Sequence, residues 1–208
     1  MSRQGDLFTA AAAAEAGAAG ATPLPELPLL REQLLTWQGR LAEHQGPLFA
    51  TATAGGAAAL LQGQLLPMAA DPGDPDAVAR RFDPLSLSPQ SLSFWRWPRL
   101  PQRGAALYLV MDRPAGLPVP LLLYVGETGR ADQRWKGDHD CKGYLAAYGE
   151  ALARVGLEAR PSIRFWSDVP AAVSPRRALE QALIRRWLPP FNKETRERWA
   201  TPFTADPA

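Results

Sequence analysis

LLLYVGETGRADQRWKGDHD, residues 121–140, runs an apolar, strand-like segment through a glycine and straight into charged residues. Tyr124 closes the apolar run with Val125 and Gly126, Arg134 follows Tyr124 by ten residues, and His139 lies just beyond. A buried strand passing through a glycine turn into a surface helix would account for this pattern by itself. The neighbouring segments decide whether the stretch encodes more.

Upstream, AALYLVM (105–111) and VPLLLYV (119–125) are rich in strand-forming residues, and DRPAGLP between them carries turn chemistry. Together they predict an antiparallel hairpin. Downstream, a short helix is predicted over about 131–136. A second covers YLAAYGEALARVG (144–156), with Tyr144, Tyr148, Leu152 and Val155 on one face and Gly156 to stop it. Asp138 to Cys141 between them reads as an exposed or DNA-facing loop, too crowded in spacing for a tetrahedral zinc site. SIRFWSDVP holds a strand near 163–166. SPRRALEQALIRRWLPPFN (174–192) reads as a helix capped by Ser174, with Pro175 in its first turn and a double proline at its end. The order β-β-α-α-β-α implies an α/β (α+β) fold, a small three-stranded antiparallel sheet flanked by helices.

The first half is different in kind. Residues 1–22 are an alanine-rich, low-complexity leader without the apolar core of a signal peptide. Residues 23–102 read as a helical, loop-rich extension of unassigned role, 103–195 as the domain proper and 196–208 as a tail. Leu27, Leu30, Leu34, Trp37 and Leu41 recur at helical steps and predict an amphipathic helix over about 25–45, its seam packed intramolecularly. A short helix is expected near 57–66. Asp74-Pro75 and Ser88-Pro89 both look like helix starts, and Trp95 and Trp97 like a packing seam.

Charge is also uneven. Residues 1–100 hold 7 Lys/Arg against 9 Asp/Glu, whereas residues 121–199 hold 14 against 10, so the basic excess sits with the opening motif. That permits a phosphate-rich partner. One cysteine excludes an intrachain disulfide and favours a reducing, cytoplasmic compartment. No apolar run approaches the roughly 20 residues that span a bilayer.

The last helix contains an anomaly. At roughly 100° per residue, Glu180 falls between Trp187 and Ile184, inside the apolar arc those two form with Leu179, Ala182 and Leu183. A carboxylate there is costly unless paired, hydrogen-bonded or bound to metal. Arg186 also lies in the arc, so an intramolecular Glu–Arg pair is one solution and a metal the other.

In combination these segments resemble the GIY-YIG nuclease family. Ala106-Leu107-Tyr108 stands at the first motif and Tyr124-Val125-Gly126 at the second. Arg134 stands at the family's arginine, and Glu180 with Leu183-Ile184, Pro189, Phe191 and Asn192 at its terminal helix and the loop beyond. The resemblance covers about residues 103–195. It implies a metal-dependent endonuclease acting on DNA, with one Mg²⁺ or Mn²⁺ ion held by Glu180. Arg134 would stabilise phosphate charge, Tyr108 accept a proton from water, and Tyr124 orient the water or the phosphate. Nearby cations would then have to lower the tyrosine pKa from about 10. Gly126, His139, Lys142, Tyr144 and Asn192 are possible supports. Many members carry a histidine where Asp138 stands, so His139, Lys142 or Tyr144 could fill that space. A catalytically silent module that binds nucleic acid or protein on the same fold is the alternative.

Overall fold

A strand reading ALYLVM is apolar on both faces apart from the Tyr108 hydroxyl, so both faces must be covered. The computed structural model, which describes residues 28–61, 74–93, 103–136 and 140–203, shows two layers doing so. The elements are α1 (Pro28–Leu61), α2 (Pro75–Arg81), β1 (Ala106–Asp112), β2 (Leu121–Thr128), α3 (Ala131–Arg134), α4 (Asp140–Arg154), β3 (Ser162–Trp166), α5 (Val173–Trp187) and α6 (Arg196–Trp199). The three strands form one antiparallel sheet in the order β2-β1-β3, and every residue of β1 is buried. Tyr108 and Val110 face a layer built from Leu34, Trp37 and Leu41 of α1 and Tyr148 and Leu152 of α4. Leu107, Leu109 and Met111 face the other way, against Leu179, Leu183 and Trp187 of α5. The predicted hairpin, the third strand and the β-β-α-α-β-α order are all present.

Other expectations need correcting. Residues 28–45 of the helix predicted near 25–45 and residues 57–61 of the one predicted near 57–66 belong to a single helix, α1, which passes through Pro47; 25–27 and 62–66 lie outside the described residues. Proline removes one helical N–H and crowds the preceding turn. Here Leu41 before it and Phe49 after it are anchored in opposite layers of the core, so tertiary packing carries the helix through. The N-terminal segment therefore shares its core with the sheet. Asp74-Pro75 does start α2, with the Asp74 carboxylate accepting from Asp76 N–H at 3.0 Å. Ser88-Pro89 starts nothing. Gln90 instead pairs with Ile163 through two backbone hydrogen bonds of 2.8 and 2.9 Å, covering the outer edge of β3.

α4 begins at Asp140, not at 144, and Cys141 is fully buried in the core instead of lying in an exposed loop. Ser174 does not cap α5; Ala172 occupies that position, because the Arg176 guanidinium gathers the carbonyls of Pro170, Ala171 and Ala172 and holds the entry loop. The tail contains structure: Trp199 of α6 is buried and donates to Leu188 O at 2.7 Å. The leader 1–22, Trp95, Trp97 and His139 lie outside the described residues.

Candidate active site

Strict alternation would leave the two motif tyrosines on opposite faces. Leu121 and Leu123 point into the Tyr108 layer, so Tyr124 should point away from it. The register supplies the correction. Val110 pairs with Tyr124 but Met111 pairs with Leu122, leaving Leu123 as an extra residue in β2. This β-bulge resets the phase, so Tyr124 rejoins the face of Tyr108 while Val125 turns to the other layer. The two phenol rings stack with centroids 5.9 Å apart.

Tyr108 pairs across the sheet with Gly126, and its ring lies flat over that glycine. A Cβ on Gly126 would sit 2.4 Å from Tyr108 Cζ and Oη and 2.8 Å from Tyr124 Cε1. The glycine of the second motif is thus required by the tyrosine of the first. Trp135 meets the Tyr108 ring edge-on at 5.8 Å, and Lys142 Nζ stands 6.0 Å from the Trp135 centroid.

β2 is an edge strand, and unpaired edge groups invite unwanted pairing. Two side-chain amides act here in place of a fourth strand. Gln45 of α1 accepts from Leu122 N–H at 2.8 Å and donates to Leu122 O at 3.0 Å. Asn192 accepts from Val125 N–H at 3.0 Å and donates to Val125 O at 2.7 Å. Between them Phe191 N–H donates to the bulge carbonyl of Leu123 at 3.0 Å. Asn192 therefore fastens the loop after α5 to the bulged strand, with both functional groups of its side chain engaged.

Burial dominates the electrostatics of the tyrosines. Tyr108 is fully buried, and desolvation pushes its pKa well above 10; Tyr124 and Cys141 raise it further, while Arg134 opposes. Tyr124 is half-buried and pushed up to about 12, first by burial and then by Cys141, with Glu180 also raising it and Arg134 lowering it. The anticipated net lowering by cations is therefore not met by the protein's own charges. Glu180 on α5 is half-buried and raised to about 7, first by burial and then by the Glu127 carboxylate; Glu194 adds to this, and Arg177 offsets part. No ion pair joins it to Arg186. Tyr124 thus feels Arg134 and Glu180 together, which brings residues from β1, β2, α3 and α5 to one place. Arg134 itself is exposed.

Tyr144, a possible support, stacks on Phe191 at 5.5 Å and its hydroxyl accepts from Arg196. Sequence reasoning missed Glu127 and Arg176. Arg176, only 2% exposed, bonds Glu127 at 2.8 Å, and Arg177 reaches the other oxygen at 3.3 Å. Glu127 in turn presents its charge to Glu180. Their signal was the doubled arginine one turn before Glu180, opposite an acid following the second motif. A buried network elsewhere was also unforeseen: Gln38 donates to the Tyr148 hydroxyl at 2.7 Å, which donates to Asp112 at 2.7 Å.

Among the described residues no group of three or more His, Cys, Asp or Glu side chains is placed to hold a metal ion, and no helix is long and apolar enough to cross a membrane. Comparison with family models, with curated proteins and with solved structures found no match to this chain.

Proposed function

We propose that this chain is a metal-dependent endonuclease of GIY-YIG type that hydrolyses DNA phosphodiester bonds. The observation that carries the reading is the convergence of Tyr108, Tyr124, Arg134 and Glu180 from four separate elements, achieved through a bulge in β2 and a glycine that leaves room for the Tyr108 ring.

The donor chemistry suits one hard divalent cation. Glu180 faces two further carboxylates with only partial compensation from the Glu127 backbone N–H and Arg177, so a dication beside it relieves like-charge repulsion. Mg²⁺ takes one or two carboxylates and keeps several waters, so a three-acid cage is not needed. When bound, the ion supplies a field that eases ionisation of water and stabilises charge on the phosphate. Glu180 holds it when ionised, and protons compete for the same oxygens below about pH 7.

Arg134, exposed and planar, can present two N–H groups to phosphate oxygens. Tyr124 holds the outer position of the tyrosine pair. The Tyr108 hydroxyl is sealed from solvent and hydrogen-bonded to Tyr124, so only as a phenolate would Tyr108 accept a proton, and that proton would arrive through the Tyr124 hydroxyl. Arg130 and Lys136, exposed and close to Arg134 in sequence, would add positive charge for the DNA backbone.

The test is nicking of supercoiled plasmid with Mg²⁺ or Mn²⁺, comparing wild type, Glu180→Ala and EDTA. Activity in wild type alone supports the reading. Activity surviving in Glu180→Ala refutes the role of Glu180. The alternative, a silent binding module, is favoured by one observation: both phenols are held firmly protonated. Gel-shift binding without any cleavage would select it.

A further inference from the structure

α5 carries a second cluster of charge on a different face. Arg186 lies six residues beyond Glu180, which at 100° per residue places it roughly 120° away around the helix. Arg186, Arg185 and Arg80 line a cleft of about 360 Å³ between α2 and α5, floored by Ala79 and Ala182. Two carboxylates already attend this cleft. Asp76, in its wall, takes Arg185 at 2.8 Å, and Asp74 takes Arg80 at 3.3 Å in an exposed, weak pair. Among the described residues no carboxylate pairs with Arg186. Its Nε is also enclosed by protein and has no hydrogen-bond acceptor. A buried N–H left without an acceptor is costly, the more so on a charged group. Burial and the neighbouring Arg80 both work against the Arg186 charge.

We infer that this cleft binds a phosphate group, whose oxygens accept from the terminal N–H groups of Arg186 and from the Arg80 guanidinium. A tetrahedral oxyanion fits the demand: it offers several acceptors to two guanidinium forks at once and neutralises a pair of like charges. Free phosphate and the backbone diester of a nucleic acid share this chemistry. The proposal does not depend on nuclease activity, because the cleft faces away from Glu180 and is read by binding alone.

The full chain, with Arg186→Gln and Arg80→Ala variants, is titrated with inorganic phosphate at constant ionic strength and followed by thermal shift. In parallel, a short DNA duplex is titrated by fluorescence anisotropy at several salt concentrations. Phosphate should raise the wild-type Tm, with affinity reduced about tenfold in Arg186→Gln and severalfold in Arg80→Ala. If the natural source is a diester, Arg186→Gln also lowers the slope of log affinity against log salt by about one. A phosphate effect with an unchanged DNA slope supports the site and assigns it to a free phosphate or monoester. A slope effect without a phosphate response supports it and assigns it to the diester. Identical behaviour of wild type and both variants in both titrations overturns it. Arg80 is exposed, so Arg80→Ala decides the matter should Arg186→Gln fail to fold.

Discussion

Replacing Glu180 by Gln removes a charge while keeping shape and most hydrogen bonds, and it should make the protein more stable at pH 8. Glu180 sits near pKa 7 in the fold, against about 4.5 for an ordinary glutamate. Between those values the folded chain holds a proton that the unfolded chain has released. Stability from this group is therefore complete below about pH 4.5 and lost as pH rises through about 7. At 1.36 kcal/mol per pKa unit the gap corresponds to about 3.4 kcal/mol. Glu180 is only half-buried, and solvent screening reduces this to about 1–2 kcal/mol. For a chain of this size that is a rise of about 5 °C in Tm at pH 8 for Glu180→Gln, shrinking to nothing near pH 4.5. Thermal denaturation across pH 4.5 to 8 measures it. The same scans with Mg²⁺ should raise the Tm of wild type and leave Glu180→Gln unmoved if, as proposed, the native carboxylate holds the ion. A Gln variant no more stable than wild type at pH 8 would refute the reasoning, because Glu180 would then be satisfied by its protein neighbours and have no call for a cation.

Three further expectations follow from the same geometry. Gly126→Ala forces the Tyr108 ring to move by more than about 1 Å to reach ordinary contact, costing about 1–3 kcal/mol and about a hundredfold in nicking rate. In a Tyr108→Leu background, which lacks the clashing Cζ and Oη, the same alanine should cost much less stability in urea denaturation, and equal costs would show that the clash lies elsewhere. Asn192→Ala leaves Val125 N–H and O buried without partners and should lower stability by about 2–4 kcal/mol, seen as a lower urea midpoint with unchanged slope. Arg134→Ala touches an exposed side chain, so it should change stability by less than about 0.5 kcal/mol while lowering cleavage about 10²–10³-fold; a destabilised protein would mark Arg134 as structural.

Much of the fold is local and was therefore legible. The apolar runs around Tyr108 and Tyr124, the proline and glycine between them and the caps at Asp74 and Gly156 act over a few residues. Periodicity and turn chemistry report such features directly. Glu180 announced itself in the same way, as a carboxylate on an apolar arc. What the sequence could not display were interactions made between distant segments. Pro47 looks like a helix end until Leu41 and Phe49 are seen anchored in two layers of core. Ser88-Pro89 looks like a helix start until the open edge of β3 claims Gln90. The bulge at Leu123 has no sequence mark, because an extra residue in a strand is defined only by the partner strand's register.

The sequence by itself determined which residues could form strands and helices, and which few polar groups were too costly to be incidental. Only the tertiary structure decided that Tyr124 turns to join Tyr108, that Gly126 is kept bare by the ring above it, and that burial, with the Glu127 carboxylate beside it, raises the pKa of Glu180 to about 7. Face and charge state depend on register, burial and the field of neighbours from other elements, and those exist only once the chain has closed around them.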